Sequence, residues 1–175
     1  MRIPPFPWLE RGRKAGVVLD SGILLLHAFS SCQKGRYLSK VSASIPPKDV
    51  QGVAYVISEL LKSIPACITP QVLAEFQALA RSRARLNDED LAIFLKDYSE
   101  FPIDEIYVQY RDLTTIKTRE RAWNISYTDT SVVLAGVARE APVLTLDRAL
   151  RRLARPLRVQ VLHVYEDFYL HLDRT

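Results

Sequence analysis

Cysteine is scarce in this chain: Cys32 and Cys67 are the two among its 175 residues. Their separation matches no metal-ligand spacing. Two isolated thiols point to reduced side chains and a reducing compartment. Histidine is scarce as well. His27, His163 and His171 are scattered, so none is assigned to a metal, and His27, inside an apolar run, is expected to pack. No apolar run approaches the roughly 20 residues that a membrane span needs. The first residues hold prolines and cations but no apolar stretch of the secretory kind. No internal repeat is visible, and no Ser-His-Asp or Cys-His arrangement. The expectation is a cytoplasmic protein without membrane contact.

What is present fits one globular unit. Hydrophobic residues make up 48% of the chain, enough to fill a core, and charged residues 25%. The formal net charge is +4 and the isoelectric point about 9.1, a mild hint of a polyanionic partner. Residues 1–15 carry Pro4, Pro5, Pro7, Arg11, Arg13 and Lys14 and read as an extended basic arm. Residues 16–175 read as a single domain.

The stretch from Gly16 to Leu26 organises that domain. Val17 to Leu19 is a short β-branched run, as expected of a strand buried on both faces. It stops at Asp20. Ser21 and Gly22 make a turn, and Ile23 to Leu26 begin a helix. An Asp in that position either caps the helix or faces the sheet edge where open α/β sheets bind ligands. The second role needs further acids at the same edge.

Three more acids occupy matching contexts. After a loop from Ser30 to Pro47, a helix is expected to about Ser63, then a strand over Ile64–Thr69. Thr69-Pro70 opens another helix as N-cap and first residue, with Glu75 on its second turn. Asn87 to Asp90 cap the next helix. A strand is expected over Phe101–Val108, and a helix over Gln109–Trp123. Asp129 lies in Tyr127-Thr128-Asp129-Thr130-Ser131, ahead of an apolar helix in which Gly136 implies close packing. Val143 to Leu146 form a buried run ending on Asp147, with a helix after it and a last strand over Val159–Val164. Tyr165, Phe168 and Tyr169 are expected to pack on the core. Strands alternating with helices predict an α/β fold, a parallel sheet with helices on both faces.

That topology can bring Asp20, Glu75, Asp129 and Asp147 to one crevice. Four carboxylates so close cannot all ionise without a compensating cation. Hard oxygen donors suit Mg²⁺ or Mn²⁺, and such an ion can promote phosphodiester hydrolysis. Each acid has a plainer use: Asp129 as a cap, Asp147 as a turn residue, Glu75 as an exposed helix charge.

Val18-Leu19-Asp20-Ser21-Gly22, Thr69 to Phe76, Ser126 to Ser131 and Val143 to Arg148, in that order, resemble the PIN-domain family of nucleases. The resemblance runs from about Gly16 to Val164. It implies a three-layer α/β/α sandwich on a five-stranded parallel sheet and Mg²⁺- or Mn²⁺-dependent endonucleolytic cleavage of single-stranded RNA. It makes Asp20, Glu75, Asp129 and Asp147 the catalytic, metal-binding quartet. Ser131 and Thr145 match the family's hydroxyl positions near the metal. Asp20 and Glu75 are 55 positions apart, more than in compact VapC-like toxins, and the extra length falls in the Ser30–Pro47 loop. A toxin would have an antitoxin protein as partner, and many PIN domains form homodimers.

Arg36, in the loop, and Arg148 and Arg151, after the fourth acid, are the expected contacts to RNA phosphates. Tyr37 and Tyr127 are candidates for stacking on bases. Two other functions stay open. One is a non-catalytic PIN-like binding or scaffold module. The other is a receiver-like domain phosphorylated on Asp20, although the late strand end holds an acid where that chemistry wants a lysine.

Overall fold

A computed structural model describes residues 6–31, 44–82, 85–98, 103–120 and 124–172. Five strands pair in parallel: β1 (Val17–Leu19), β2 (Ala66–Ile68), β3 (Ile103–Glu105), β4 (Val143–Thr145) and β5 (Val161–His163). Their order across the sheet is β3-β2-β1-β4-β5. The chain therefore moves outward one way from β1 to β3, then returns past β1 to β4 and β5. Right-handed crossovers put the two sets of connections on opposite faces. The result is a three-layer α/β/α sandwich, as expected.

On one face α2 (Ser21–Ser31) packs on α3 (Val50–Leu61) and α4 (Pro70–Ser82), with α5 (Asp88–Tyr98) beside it. On the other, α7 (Tyr127–Arg139) lies across β1 and β4 and packs on α6 (Tyr110–Arg119) and α8 (Leu150–Ala154). β1, β2 and β4 are buried at every residue, because both faces are covered. β3, an edge strand, is half-exposed. Gly136 has the packing role its position implied. A Cβ there would come within 2.8 Å of Val159 and 2.9 Å of Val143, so only glycine lets α7 sit this close to the sheet.

The start of the chain corrects the reading of an extended arm. Pro7–Ala15 form a helix, α1, with Trp8, Leu9 and Gly12 buried. Pro7 is at its first turn, where a missing N–H costs nothing. Trp8 meets Phe168 edge-on, with ring centroids 5.2 Å apart. Gly16 has φ +80° and a Cβ there would meet the Pro65 carbonyl at 3.0 Å, so glycine permits the turn from α1 into β1. At the other end, β5 runs into a π-helical turn (Val164–Tyr169) and a short helix, α9 (Leu170–Leu172). Phe168 is buried in the core, as expected of the aromatic tail. The helix expected over Gln109–Trp123 ends at Arg119 among the described residues, and the strand expected over Phe101–Val108 is three residues long. No described helix is long and apolar enough to cross a membrane.

Candidate active site

The strand order reverses between β1 and β4, which makes their carboxyl ends the place where such a sheet opens a crevice. The ladder continues one residue past β1, with Asp20 N–H donating to the Leu144 carbonyl at 3.1 Å. This registers the Asp20 side chain against Thr145. The Thr145 hydroxyl donates to Asp20 Oδ2 at 2.6 Å and accepts from Asp147 N–H at 2.8 Å. One buried threonine thus ties the first acid to the backbone of the fourth. Asp147 is exposed, and its Oδ1 accepts from Ala149 N–H at 2.7 Å, a turn that leads into α8.

Ser21 makes the second link. Its hydroxyl donates to Glu75 Oε2 at 2.8 Å and lies 3.3 Å from Asp20 Oδ1. Asp129 enters from α7. Ser126 is the N-cap there: its hydroxyl accepts from Asp129 N–H at 2.9 Å, and Asp129 Oδ2 accepts from Ser126 N–H at 3.3 Å. This reciprocal capping box is the plainer role foreseen for Asp129, and it uses one carboxylate oxygen.

The electrostatics show that the four acids share a neighbourhood. Burial pushes the Asp20 carboxyl up to about 6; the Thr145 hydrogen bond opposes this, and the charges of Asp129 and Glu75 add to it. Burial also raises Asp129, against its bond to Ser126, with Glu75 and Asp147 adding to the rise. No Lys or Arg side chain is among the principal influences on either group. Among the described residues, however, no three acidic, imidazole or thiol side chains stand close enough to hold a metal ion as they are. The acids gather at one edge without closing into a cage.

The other expected residues divide. Thr145 touches the first acid, whereas Ser131 touches none among the described residues. Its hydroxyl donates to the Thr128 carbonyl at 2.7 Å, so Thr69 must donate to it across 2.7 Å. Thr69 in turn accepts from Val72 N–H at 3.3 Å, the N-cap expected of it. Ser131 is therefore the joint between the starts of α4 and α7. Arg148 pairs with Glu166, and Arg151 pairs with both Glu166 and Asp167. Both guanidinium groups thus have protein partners, and Arg148 remains largely exposed. Arg36 and Tyr37 lie outside the described residues.

Sequence reasoning passed over four groups that shape the crevice. Ser21 looked like a turn residue only, although a hydroxyl beside an acid at a strand end is a signal. The Leu146 carbonyl accepts from Ser44 Oγ at 3.0 Å and from His163 Nε2 at 2.9 Å. His163 Nδ1 accepts from Glu166 N–H at 3.4 Å, so Nε2 carries the proton and the ring is neutral. Burial lowers its pKa, which favours that form. Tyr110 stacks on Tyr127 with centroids 5.7 Å apart, two residues from Asp129. Two hollows are lined by none of the four acids. One, of about 550 Å³, includes Arg11, Lys14, Arg139 and Arg158 at the amino-terminal edge of the sheet. The other, of about 720 Å³, follows α6.

No family model matches this chain, and no curated protein matches it. Function therefore has to be argued from the crevice itself.

Proposed function

We propose that the chain is a PIN-like, divalent-metal-dependent endoribonuclease acting on single-stranded RNA. One observation carries the reading. Acids follow both strands that flank the reversal of the sheet, and two helix starts add Glu75 and Asp129, with no Lys or Arg among the described residues a principal influence on Asp20 or Asp129. The donor set is hard oxygen throughout, which fits Mg²⁺ or Mn²⁺. Asp20, Glu75, Asp129 and Asp147 would hold the ion. When bound, such an ion supplies neutralisation of phosphate charge and an acidified water.

The residues themselves have separable tasks. Thr145 keeps Asp20 oriented toward the crevice mouth shared with Asp147. Ser21 holds Glu75 beside Asp20, and Ser126 fixes Asp129 while leaving its second oxygen outside the capping box. In this reading Arg148 exchanges part of its pairing with Glu166 for a phosphate of the RNA. An antitoxin-like protein or a second copy would be partners of the same face. The test is cleavage of mixed single-stranded RNA with and without Mn²⁺. Asp20→Asn and Asp129→Asn are expected to abolish cleavage while circular dichroism stays native. Undiminished cleavage by both variants would reject the nuclease.

A second reading has one observation in its favour. The acids do not form a cage as they stand, and Asp129 already serves α7 as a cap. A non-catalytic binding module of the same fold would show no Mg²⁺ or Mn²⁺ binding by calorimetry while still binding RNA or protein.

A further inference from the structure

Three exposed tyrosines lie at the carboxyl edge of the sheet, on its β3 side. Tyr107 is 84% exposed, Tyr110 69% and Tyr127 42%. All three lie where β3 ends and α6 and α7 begin, at the carboxyl edge of the sheet. Tyr110 and Tyr127 stack nearly parallel, at 29°, with centroids 5.7 Å apart. Lys117 holds this pair in place from within. Its ammonium is over the Tyr127 ring, 4.9 Å from the centroid, and donates to the Ile125 carbonyl. The ring pair is thus fixed by a cation and a hydrogen bond before any ligand arrives.

A groove of about 720 Å³ continues from Tyr110 along α6, lined by Arg111, Thr114, Thr115, Thr118 and Arg119. Its threonines are turned. Thr114 Oγ1 donates to the Tyr110 carbonyl at 2.7 Å, Thr115 Oγ1 to Arg111 at 2.7 Å and Thr118 Oγ1 to Thr114 at 2.9 Å. Each hydroxyl is spent on the helix backbone, which leaves methyl groups toward the groove. The floor is therefore apolar and the sides carry guanidinium groups. Arg119 is paired with Glu120 at 2.7 Å, whereas Arg111 has no ion pair among the described residues. A flat apolar surface beside a cation with no ion pair among the described residues suits a base attached to a phosphodiester. An apolar peptide would bring no negative charge to Arg111.

We propose that Tyr110, braced by Tyr127, and the groove along α6 form a base-stacking subsite that takes single-stranded RNA next to the carboxylate crevice. This rests on the nuclease reading for the identity of the ligand, yet it is measured without cleavage. The probe is a fluorescent 2′-O-methyl oligonucleotide of mixed sequence, titrated by anisotropy in EDTA. Stacking contributes about 1–3 kcal/mol per base, so Tyr110→Ala is expected to raise Kd by about 5- to 150-fold. Tyr110→Trp is expected to bind as tightly as the unchanged protein. An abasic oligonucleotide is expected to bind weakly to both the unchanged protein and Tyr110→Ala.

Three results would overturn the subsite: no binding by the unchanged protein, an unchanged Kd for Tyr110→Ala, or abasic binding as tight as that of the base-bearing probe. A groove that serves a protein segment would give the second result. A protein that binds the probe but never cleaves RNA with Mn²⁺ loses the nuclease and keeps the subsite. One that cleaves while Tyr110→Ala binds normally keeps the nuclease and loses the subsite.

Discussion

Buried at the end of β1, the Asp20 carboxylate works against the fold. Its carboxyl is buried, with a pKa of about 6 against 3.8 for an ordinary aspartate. The folded state therefore binds more protons than the unfolded chain between those values. Stability falls as pH rises through that window and stays low above it. A shift of this size corresponds to about 2–3 kcal/mol at neutral pH. Asp20→Asn keeps an acceptor for Thr145 and removes the charge. In EDTA it is expected to unfold at a higher temperature than the unchanged protein at pH 7.5, and at about the same temperature near pH 4. Thermal melts at the two pH values check this. His163 has the opposite sign. Its lowered pKa means that the unfolded chain takes up the proton first, so stability is lost as pH falls below about 6.5. In the unchanged protein the two trends overlap and partly cancel. Asp20→Asn should therefore expose a steeper loss between pH 6.5 and 5, measured by urea midpoints.

At the level of elements, α7 is the most constrained. It carries Asp129 at its start, Ser131 at its junction with α4, and Gly136 against the sheet. An alanine normally favours a helix over glycine by about 1 kcal/mol. At Gly136 the added methyl meets Val159 and Val143 at under 3 Å, and overpacking of that kind costs about 1–3 kcal/mol. Gly136→Ala is expected to destabilise by chemical denaturation, and adding Val159→Ala to restore part of the loss. That glycine was legible because a lone Gly inside an apolar helix has few other uses. The buried strands were legible for a similar reason: short β-branched runs such as Val17–Leu19 stop abruptly at acids. Local pattern failed where the deciding partner is remote. Nothing near Arg148 and Arg151 in the sequence announces their ion pairs with Glu166 and Asp167, which lie fifteen or more positions later. Ser131 resembles a site hydroxyl until Thr69 takes it. Residues 7–15 lack the broad apolar stripe of a surface helix. Trp8, Leu9 and Gly12 bury a narrow one, and the prolines before it drew the eye toward an extended arm.

Across the whole molecule, α1 meets the π-helical turn that follows β5. Trp8 of α1 packs edge-on against Phe168 of the π-helical turn, and Phe6 meets the same ring at 5.1 Å. That turn also carries Glu166 and Asp167. Asp167 accepts from His163 N–H at 2.7 Å and pairs with Arg151, while the His163 ring holds the Leu146 carbonyl one residue before Asp147. A run of contacts therefore connects the first helix to the corner between β4 and α8. Losing either buried ring should cost about 3–5 kcal/mol, and an edge-on pair adds about 0.5–1.5 kcal/mol beyond area. In a double-mutant cycle of Trp8→Ala and Phe168→Ala, the coupling is expected near 1 kcal/mol by urea denaturation, because each partner is silent once the other is gone. The same connection separates a support from a participant. Trp8→Ala is expected to weaken Mn²⁺ binding through Asp147 while the anisotropy Kd for RNA at Tyr110, on the far side of the sheet's reversal, stays unchanged. A Trp8→Ala protein that stays folded and loses both to the same degree would show that α1 and the π-helical turn hold up the whole edge rather than one corner of it.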